Sequence, residues 1–398
     1  MRRADSVPVI VLLTVLVALG PISTDLYLPS LPSLMSYFSA SEADVQLTLS
    51  IFLIGLAASQ LVYGPLSDRF GRKPVLLVGL AIYLVASIAC MLAPSIEFLI
   101  AARFLQALGA CVGPVLCRAV VRDVYGREGA ARVLSYLAAA MAIAPLLGPI
   151  LGGYLQACFG WRANFAALVI YGLGGLLGAA TMLPETNHDR NPLATRPSNI
   201  LETYLMLAGQ RRYVGYVLSS AFGYSGIFCF ISGSSFVLMG MMKLEPSDYG
   251  YCFAAVVAGY IAGATLAGKL ARKTTIHRMI AAGGAIALVG GLVLVALALA
   301  GVDTVMAIVA PTTIYLFGVG MVMANSMAGA IGPYPRAAGA ASALLGFTQM
   351  STAALVGAAI GHAADGSQMP MVIALALSAV AGPVSYWTLV RPWKKQEV

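Results

Sequence analysis

The chain has 398 residues, of which 60% are hydrophobic and only 10% are charged, with a formal net charge of +8 at pH 7. A typical soluble domain has about 25% charged and 45–50% apolar residues, so this composition excludes a soluble globular enzyme and a disordered chain. The apolar residues are enough for about twelve membrane-spanning helices of roughly 20 residues each. The sequence therefore predicts an all-α polytopic membrane protein.

Apolar segments separated by polar breaks follow one another along the whole chain. Helices are expected in these segments, because a membrane β-barrel would show alternating segments of only about ten residues. The segments cover residues 7–34, 43–66, 74–93, 97–120, 133–157, 163–183, 213–239, 248–268, 279–301, 304–328, 338–361 and 369–390. Twelve spans would place both termini on the same side of the membrane.

The basic residues are distributed unevenly between the connections. With the N-terminus inside, 21 of the 24 Lys and Arg residues fall at the inner face; Arg162 and Lys243 fall outside, and Arg103 lies within a span. Because cytoplasmic connections carry the excess of basic residues, both termini are predicted to be cytoplasmic. The positive charge is thus a topology signal, so the expected partner is the lipid bilayer and not nucleic acid.

The first span contains an acidic residue, Asp25, within the sequence S-T-D-L-Y-L-P-S-L-P at residues 23–32. Burial in a low-dielectric environment disfavours the charged form of a carboxyl group. A cavity-facing Asp25 could therefore take up and release a proton near neutral pH. The alternative is an aspartate at a helix end near the outer surface, because Pro29 and Pro32 could end the span early.

The connection between the second and third spans is rich in glycine and basic residues, with the sequence G-P-L-S-D-R-F-G-R-K at residues 64–73. Glycines allow a tight turn, and the aspartate can pair with an arginine or cap a helix. A basic turn that only fixes topology is the alternative. The pattern G-x-L-x-D-R-x-G-R-K resembles the signature loop of the major facilitator superfamily.

This resemblance implies the major facilitator fold, with twelve transmembrane helices in two pseudo-symmetric six-helix bundles. It also implies that the loop controls an inner gate together with the charged end of the fourth span. The residues concerned are Gly64, Asp68, Arg69, Gly71, Arg72, Arg122 and Asp123.

The fourth span contains R-x-x-Q-x-x-G, in which Arg103 and Gln106 share one helix face. A charge inside a span costs about 2.5–3.5 kcal/mol on insertion scales, so Arg103 is expected to face a cavity or a partner. A purely structural, snorkelling arginine is the alternative. The motif is similar to a second pattern of the superfamily, in which the arginine is tied to proton coupling.

The fifth span contains A-P-L-L-G-P-I-L-G-G at residues 144–153. Its prolines predict a kink, and its glycines predict a face that allows close helix packing. Generic packing could explain the glycines alone. The sequence nevertheless resembles the antiporter motif P-x-x-G-P-x-x-G-G of the superfamily, which is carried here by Pro145, Gly148, Pro149 and Gly152.

Three strings extend the resemblance to one branch of the superfamily. D-L-Y-L-P-x-L-P in the first span, R-D-V-Y at residues 122–125 and N-S-M-A at residues 325–328 resemble the bicyclomycin/chloramphenicol-resistance (Bcr/CflA) branch of twelve-span drug:proton antiporters. In that branch an acidic residue in the first span couples protons and contacts the substrate. The resemblance implies that Asp25 has this role.

A polar connection at residues 184–212 separates the predicted bundles at 1–183 and 213–398. The seventh span mixes aromatic and hydroxyl side chains, which suits a moderately apolar ligand, although ordinary packing is equally compatible. Amides within spans are further cavity candidates, because an unpaired amide in lipid is costly. The predicted substrate-cavity residues are Tyr27, Gln106, Tyr224, Phe228, Phe230, Asn325 and Gln349.

The sequence contains no cluster that indicates catalysis or metal binding. The three histidines, His188, His277 and His362, are far apart and are expected in connections. We therefore predict no metal site, and no nucleophile paired with a base. A membrane enzyme is disfavoured for this reason. A membrane sensor is also disfavoured, because it would need a soluble output domain and no stretch between the apolar segments is long enough to form one.

The resemblance and the residues together predict a proton-coupled antiporter that exports small organic compounds from a bacterial cell across the inner membrane. Phenicols, bicyclomycin and sulfonamides are the substrate types that this branch implies. The transporter is expected to act as a monomer with no cofactor, the proton being its coupling ion. The alternative is a proton-coupled transporter of a metabolite, such as a purine nucleoside, an amino acid or a sugar derivative.

Overall fold

The computed structural model describes residues 6–271, 273–335 and 337–390, and these form helices with no β-strand. Eleven helices in this part of the chain are long and apolar enough to cross a membrane, and a bent pair at the start makes a twelfth. The predicted all-helical fold with twelve spans is confirmed. The two termini, which were predicted to be cytoplasmic, lie outside the described residues.

The first six spans are built from eight helices. The bent first span comprises α1 to α3, the second is α4, the third is α5, the fourth runs from α6 into α7, the fifth is the rest of α7, and the sixth is α8. Their bounds are α1 Val7–Leu16, α2 Leu19–Asp25, α3 Leu31–Phe38, α4 Glu42–Phe70, α5 Arg72–Met91, α6 Ile96–Ala110, α7 Val112–Phe159 and α8 Trp161–Met182.

The first span is broken at two places where the sequence predicts one apolar segment. The axis bends by 43° between α1 and the helices that follow it, and a 3₁₀ turn, Leu28–Ser30, separates α2 from α3. Proline causes both breaks, because Pro21, Pro29 and Pro32 have no N–H to donate to the carbonyl four residues earlier. The span does not end at these prolines; it continues as α3.

The remaining helices follow a helix in the central connection. The interpretation of residues 184–212 as a simple connection is incomplete, because α9 lies there; its apolar Ile200, Tyr204 and Leu207 recur at helical spacing. A π-helical segment, Ser235–Met241, extends α10. The bounds are α9 Pro197–Ala208, α10 Arg211–Ser234, α11 Pro246–Leu270, α12 Ile276–Leu299, α13 Val305–Ile331, α14 Ala338–His362 and α15 Met369–Leu389.

The described helices form two compact units. The first contains the residues up to Ala40 together with Ile51–Ile200, and the second contains Ser41–Ser50 and the residues from Leu201 onward. Within the first unit, α5 packs against α6 and α8, and α7 packs along the first span. Within the second, α10 packs against α13, α14 and α15. The limits predicted for the two bundles and the loop between them stay a prediction.

Candidate functional site

Asp25 is the last residue of α2 and has only 3% of its surface exposed. Among the described residues, no group donates a hydrogen bond to its carboxylate or forms an ion pair with it. The second break of the first span follows at once, so Asp25 lies where the helical hydrogen bonding is interrupted. A buried and unpaired carboxylate is costly to keep charged, which makes Asp25 the acidic group of greatest functional interest.

Arg103 on α6 is a fully buried cation in the same unit. Its Nη1 donates a hydrogen bond to the carbonyl oxygen of Ser23 at 3.0 Å and another to Oε1 of Gln106 at 2.6 Å. The guanidinium carbon lies 4.2 Å from the ring centroid of Phe52 and 4.7 Å from that of Tyr27. Within the described chain it forms no ion pair, so two aromatic faces stabilise the charge in place of a carboxylate.

Hydroxyl groups join this arginine to the third span. The Ser23 hydroxyl lies 2.7 Å from the Tyr83 hydroxyl, and Nε2 of Gln106 donates a hydrogen bond to the Ser87 hydroxyl at 2.8 Å. Ser87 in turn donates to the Tyr83 carbonyl at 2.7 Å. Arg103 thus contacts the backbone two residues before Asp25 directly, and a network of hydroxyl groups that sequence reasoning missed links its partners Ser23 and Gln106 to the third span. The sequence indicates this network only by placing residues with hydroxyl groups inside apolar segments.

The glycines of the antiporter motif lie against the backbone that follows Asp25. A Cβ added to Gly148 would lie 3.0 Å from Cβ of Asp25, and one added to Gly152 would lie 2.8 Å from the carbonyl carbon of Leu26 and closer still to its oxygen. The motif prolines, Pro145 and Pro149, are inside α7. The structure thus brings the antiporter motif and the predicted proton-coupling acid together.

The signature loop joins α4 to α5 through Gly71, whose φ of 101° favours glycine. Nη1 of Arg72 lies 2.5 Å from Oδ1 of Asp68, and its Nε lies 2.9 Å from Oδ2 of Asp123. Arg69 contacts Thr195 instead. Among the described residues, the exposed Arg122 forms no ion pair, and the Gly64 carbonyl accepts a hydrogen bond from the Ser67 hydroxyl, which in turn accepts one from Arg72.

Glu185, just after the sixth span, caps α5 from outside the loop. Its carboxylate accepts hydrogen bonds from the backbone N–H groups of Arg72 at 2.9 Å and Lys73 at 3.3 Å, and from Thr186 and Asn187 at 2.9 Å each. Partial burial acts to raise the pKa of Glu185, but these four backbone donors lower that pKa below its ordinary value. Sequence reasoning gave Glu185 no role.

Replacing Glu185 by Gln is expected to lower the melting temperature of the purified protein at pH 7 by about 2 °C. Because the folded-state pKa is lowered, the carboxylate contributes stability that is fully present above its ordinary pKa of about 4.3 and is lost as the pH falls through the folded value. Thermal melts between pH 7 and pH 3.5 should therefore show wild type and variant converging in acid. A constant difference across this range would contradict the capping role.

The other predicted substrate-cavity residues lie in the second unit, on three helices. Phe228 and Phe230 of α10 are buried, and the Phe230 ring centroid lies 5.5 Å from that of Phe253. Nε2 of Gln349 donates to the hydroxyl of Ser220 at 2.6 Å. Asn325 donates to the carbonyl of Met321 in its own helix, and Tyr224 is half-buried. A substrate contact for these residues, and for Tyr27 and Gln106, stays a prediction.

An open groove of about 900 Å³ lies along the first, fourth and fifth spans of the first unit, and several of its lining side chains, such as Val7 and Val11, are exposed. This volume is within the range of pockets that hold drug-sized molecules. Its wall is mostly aliphatic, with polar groups from one threonine, two tyrosines and one arginine; the lining residues are Val7, Ile10, Val11, Thr14, Val15, Tyr125, Arg132, Val133, Tyr136, Ala139, Ala140 and Ile143. None of the residues predicted to line a substrate cavity is among them.

The histidines are placed differently from the prediction. Only His188 lies in a connection, because His277 is in the first turn of α12 beside Tyr386, and His362 is the last residue of α14. The described residues contain no group of three or more His, Cys, Asp or Glu side chains that could hold a metal ion.

The sequence model of the Major Facilitator Superfamily matches residues 13–358. The chain belongs to this superfamily. It is 29% identical over 384 residues to a bicyclomycin resistance protein homolog of Haemophilus influenzae, covering 96% of this chain and 95% of the relative. It is 30% identical over 351 residues to multidrug resistance protein D of Escherichia coli, covering 88% and 87% of the two chains. The resemblance drawn from the motifs is therefore confirmed.

Solved transporters share the fold. A partially occluded, inward-open xylose transporter of Escherichia coli superposes with a TM-score of 0.76 at 15% identity, covering 98% of this chain and 99% of the other. At this identity the likeness shows the fold alone. As a member of the superfamily, the chain is a multi-span membrane transport protein and not an enzyme.

Proposed function

We propose that this transporter exports small organic compounds in exchange for protons. The observation that carries the proposal is Asp25, a buried carboxyl group without a partner in the described chain, at a break in the first span. Intramembrane acids that are not needed for packing commonly mark proton pathways. Asp25 also lies two residues after the carbonyl that Arg103 binds, so a buried cation contacts the same segment.

In the proposed cycle, Asp25 binds a proton on the outer side and releases it inside when a compound binds. The cost of a charged carboxylate is greatest when the site is closed and dry, so closure favours the protonated form. A bound compound offers new polar contacts and thereby stabilises the charged form. Arg103, which is held by Ser23 and Gln106, tunes this balance through its positive charge.

The proposed substrates are moderately apolar compounds of drug size. The names of two relatives, a bicyclomycin resistance protein homolog and a multidrug resistance protein, support this class. The largely aliphatic lining of the open 900 Å³ groove, with polar groups at Thr14, Tyr125, Arg132 and Tyr136, is compatible with apolar compounds that carry a few polar groups. Phenicols, bicyclomycin and sulfonamides fit this description.

The signature loop at residues 64–73, together with Asp123, is proposed to hold the inner gate closed in the outward-facing state. Arg72 joins Asp68 of the loop to Asp123 at the end of the fourth span, and such paired charges can form and break between two states. We further propose a bacterial inner-membrane location with cytoplasmic termini, a monomeric transporter, and the proton as coupling ion without a cofactor. The excess of basic residues at one face supports this orientation.

Everted membrane vesicles with an acidified interior test the proposed function. Phenicols, bicyclomycin, sulfonamides and purine nucleosides are added in turn, and a pH-sensitive dye reports proton loss from the interior. We expect loss with at least one of the first three classes, and none in vesicles that lack the protein. A response to nucleosides alone would identify a metabolite transporter instead, and no response to any compound would contradict proton-coupled antiport.

A further inference from the structure

The fifth span approaches the first so closely that a side chain does not fit at Gly152 and fits only tightly at Gly148. A Cβ on Gly152 would overlap the carbonyl group of Leu26, and a Cβ on Gly148 would lie 3.0 Å from Cβ of Asp25 and 3.3 Å from the backbone nitrogen of Leu26. Side-chain carbons do not tolerate contacts below 3.0 Å, so a Cβ on Gly152 would push the segment away, whereas one on Gly148 would make a tight contact that shifts it by a few tenths of an ångström. The two glycines are one helical turn apart and face the same backbone.

Hydrogen bonds fix this segment on both sides of the acid. Before Asp25, the carbonyl of Ser23 accepts the bond from Arg103. After it, the Ser30 hydroxyl donates to Oε1 of Gln156 at 2.8 Å and accepts from Nδ2 of Asn164 at 2.7 Å. Asn164 also donates to the carbonyl of Gly152 at 3.3 Å, so the same side chain binds the first span and the glycine motif.

The first break of the span also packs against a glycine, Gly113, so the two breaks can be compared. A Cβ on Gly113 would overlap the carbonyl of Leu16, at the end of α1. No acidic residue lies at that break. The two breaks thus share one kind of backbone contact with α7, and only the second carries a titratable group.

We propose that Gly148 and Gly152 are positioning residues for Asp25. The backbone at the second break of the first span packs directly against these two glycines, and this contact, called the glycine seat below, holds the carboxyl group in its buried position. This inference rests on the proposed proton-coupling role of Asp25. It gives the antiporter motif a specific task, because the motif sets the surroundings in which the acid binds its proton. A face of small residues that served only for helix packing would have no such effect.

Few titratable groups contact the seated segment from the neighbouring helices. Among the described residues, Arg103 from α6 and Tyr83 from α5 contact it directly, and Tyr27 belongs to the segment itself. From α7 and α8, Gln156 and Asn164 make hydrogen bonds to Ser30 of this segment, and neither side chain titrates. A change in the pH dependence of transport after a glycine substitution would therefore report on the position of Asp25.

The test measures the pH dependence of chloramphenicol-driven proton exchange in everted vesicles, or of exchange driven by the strongest compound of the panel if chloramphenicol gives no response. Gly152→Ala is expected to move the pH of half-maximal exchange to a more acidic value by about one unit, because the displaced carboxyl group becomes hydrated. Gly148→Ala, whose added Cβ makes a tight contact without overlap, is expected to move it by about half a unit. Rates are normalised to the amount of protein in the membrane.

Two glycine substitutions serve as matched controls. Gly174→Ala in the sixth span adds a Cβ with no neighbour within 4 Å and should leave both rate and pH profile unchanged. Gly113→Ala strains the first break and should lower the rate without moving the profile. If Gly152→Ala fails to reach the membrane, Gly148→Ala decides the question.

Wild-type pH profiles in both motif variants would overturn the inference, and so would an equal shift in Gly113→Ala. A failure of the proposed function looks different. In that case the wild type itself shows no compound-dependent exchange, or Asp25→Asn retains it. Either result removes the proton-coupling role on which the inference rests.

Discussion

Replacing Asp25 by Asn is expected to reduce compound-dependent proton exchange in everted vesicles to the background of vesicles that lack the protein. Asparagine preserves the size and shape of the side chain, so the packing against Gly148 can persist. It cannot bind or release a proton, and the exchange of a proton for a compound then has no carrier group. Dye-reported proton loss from the vesicle interior, measured at equal protein amounts, provides the readout.

The matched control for this variant is Asp189→Asn, an equal chemical change at an exposed position in the connection after the sixth span. It should retain wild-type exchange, because a solvated aspartate there contacts neither Asp25 nor Arg103. Exchange above half the wild-type rate in Asp25→Asn would show that another group carries the proton.

Replacing Arg103 by Lys is expected to impair transport severely and to destabilise the protein by about 2 kcal/mol, the upper range for a desolvated cation held over aromatic rings. The planar guanidinium lies over the rings of Phe52 and Tyr27 while it donates to Ser23 and Gln106. A compact ammonium cannot reproduce both sets of contacts, since it is a point charge on a flexible stem. Thermal melts in detergent and vesicle exchange measure the two effects.

The chain contains a second arginine in a similar aromatic setting. Arg162 lies 4.3 Å from the ring centroid of Trp161 and 4.7 Å from that of Tyr37, but it is exposed to solvent. Arg162→Lys should therefore cost about 1 kcal/mol or less and leave exchange intact. Equal losses of stability and transport in the two variants would mean that burial of Arg103 has no special role.

The spans and the main charged residues could be predicted from the sequence because they depend on local properties. Hydropathy alone located the apolar segments, and helical spacing placed Arg103 and Gln106 on one face. The break after Asp25 was harder to predict. Pro29 and Pro32 indicate an interruption, but they do not say whether the chain leaves the membrane or continues as α3.

Contacts between segments that are far apart in the chain could not be predicted from the sequence. Glu185 caps α5 across 113 residues of chain, and nothing in the local sequence distinguishes it from any solvated glutamate. Asn187 beside it donates to the carbonyls of Ser67 and Asp68, both at 3.1 Å, which is equally unpredictable from spacing. The close packing of Gly148 and Gly152 was predicted in part. The motif indicated a close contact with another helix, but only the structure shows that the contact is with the backbone at Asp25 and Leu26.

Proton release from the purified protein shows whether Asp25 is the group that couples compound binding to proton transfer. The protein is held in a weakly buffered detergent solution, and the compound that drives the strongest exchange in vesicles is added while the pH is recorded. We expect wild type to release protons as the compound binds, and Asp25→Asn to release none. If Asp25→Asn binds the compound and releases as many protons as wild type, Asp25 is not the coupling group and the proposed mechanism is wrong.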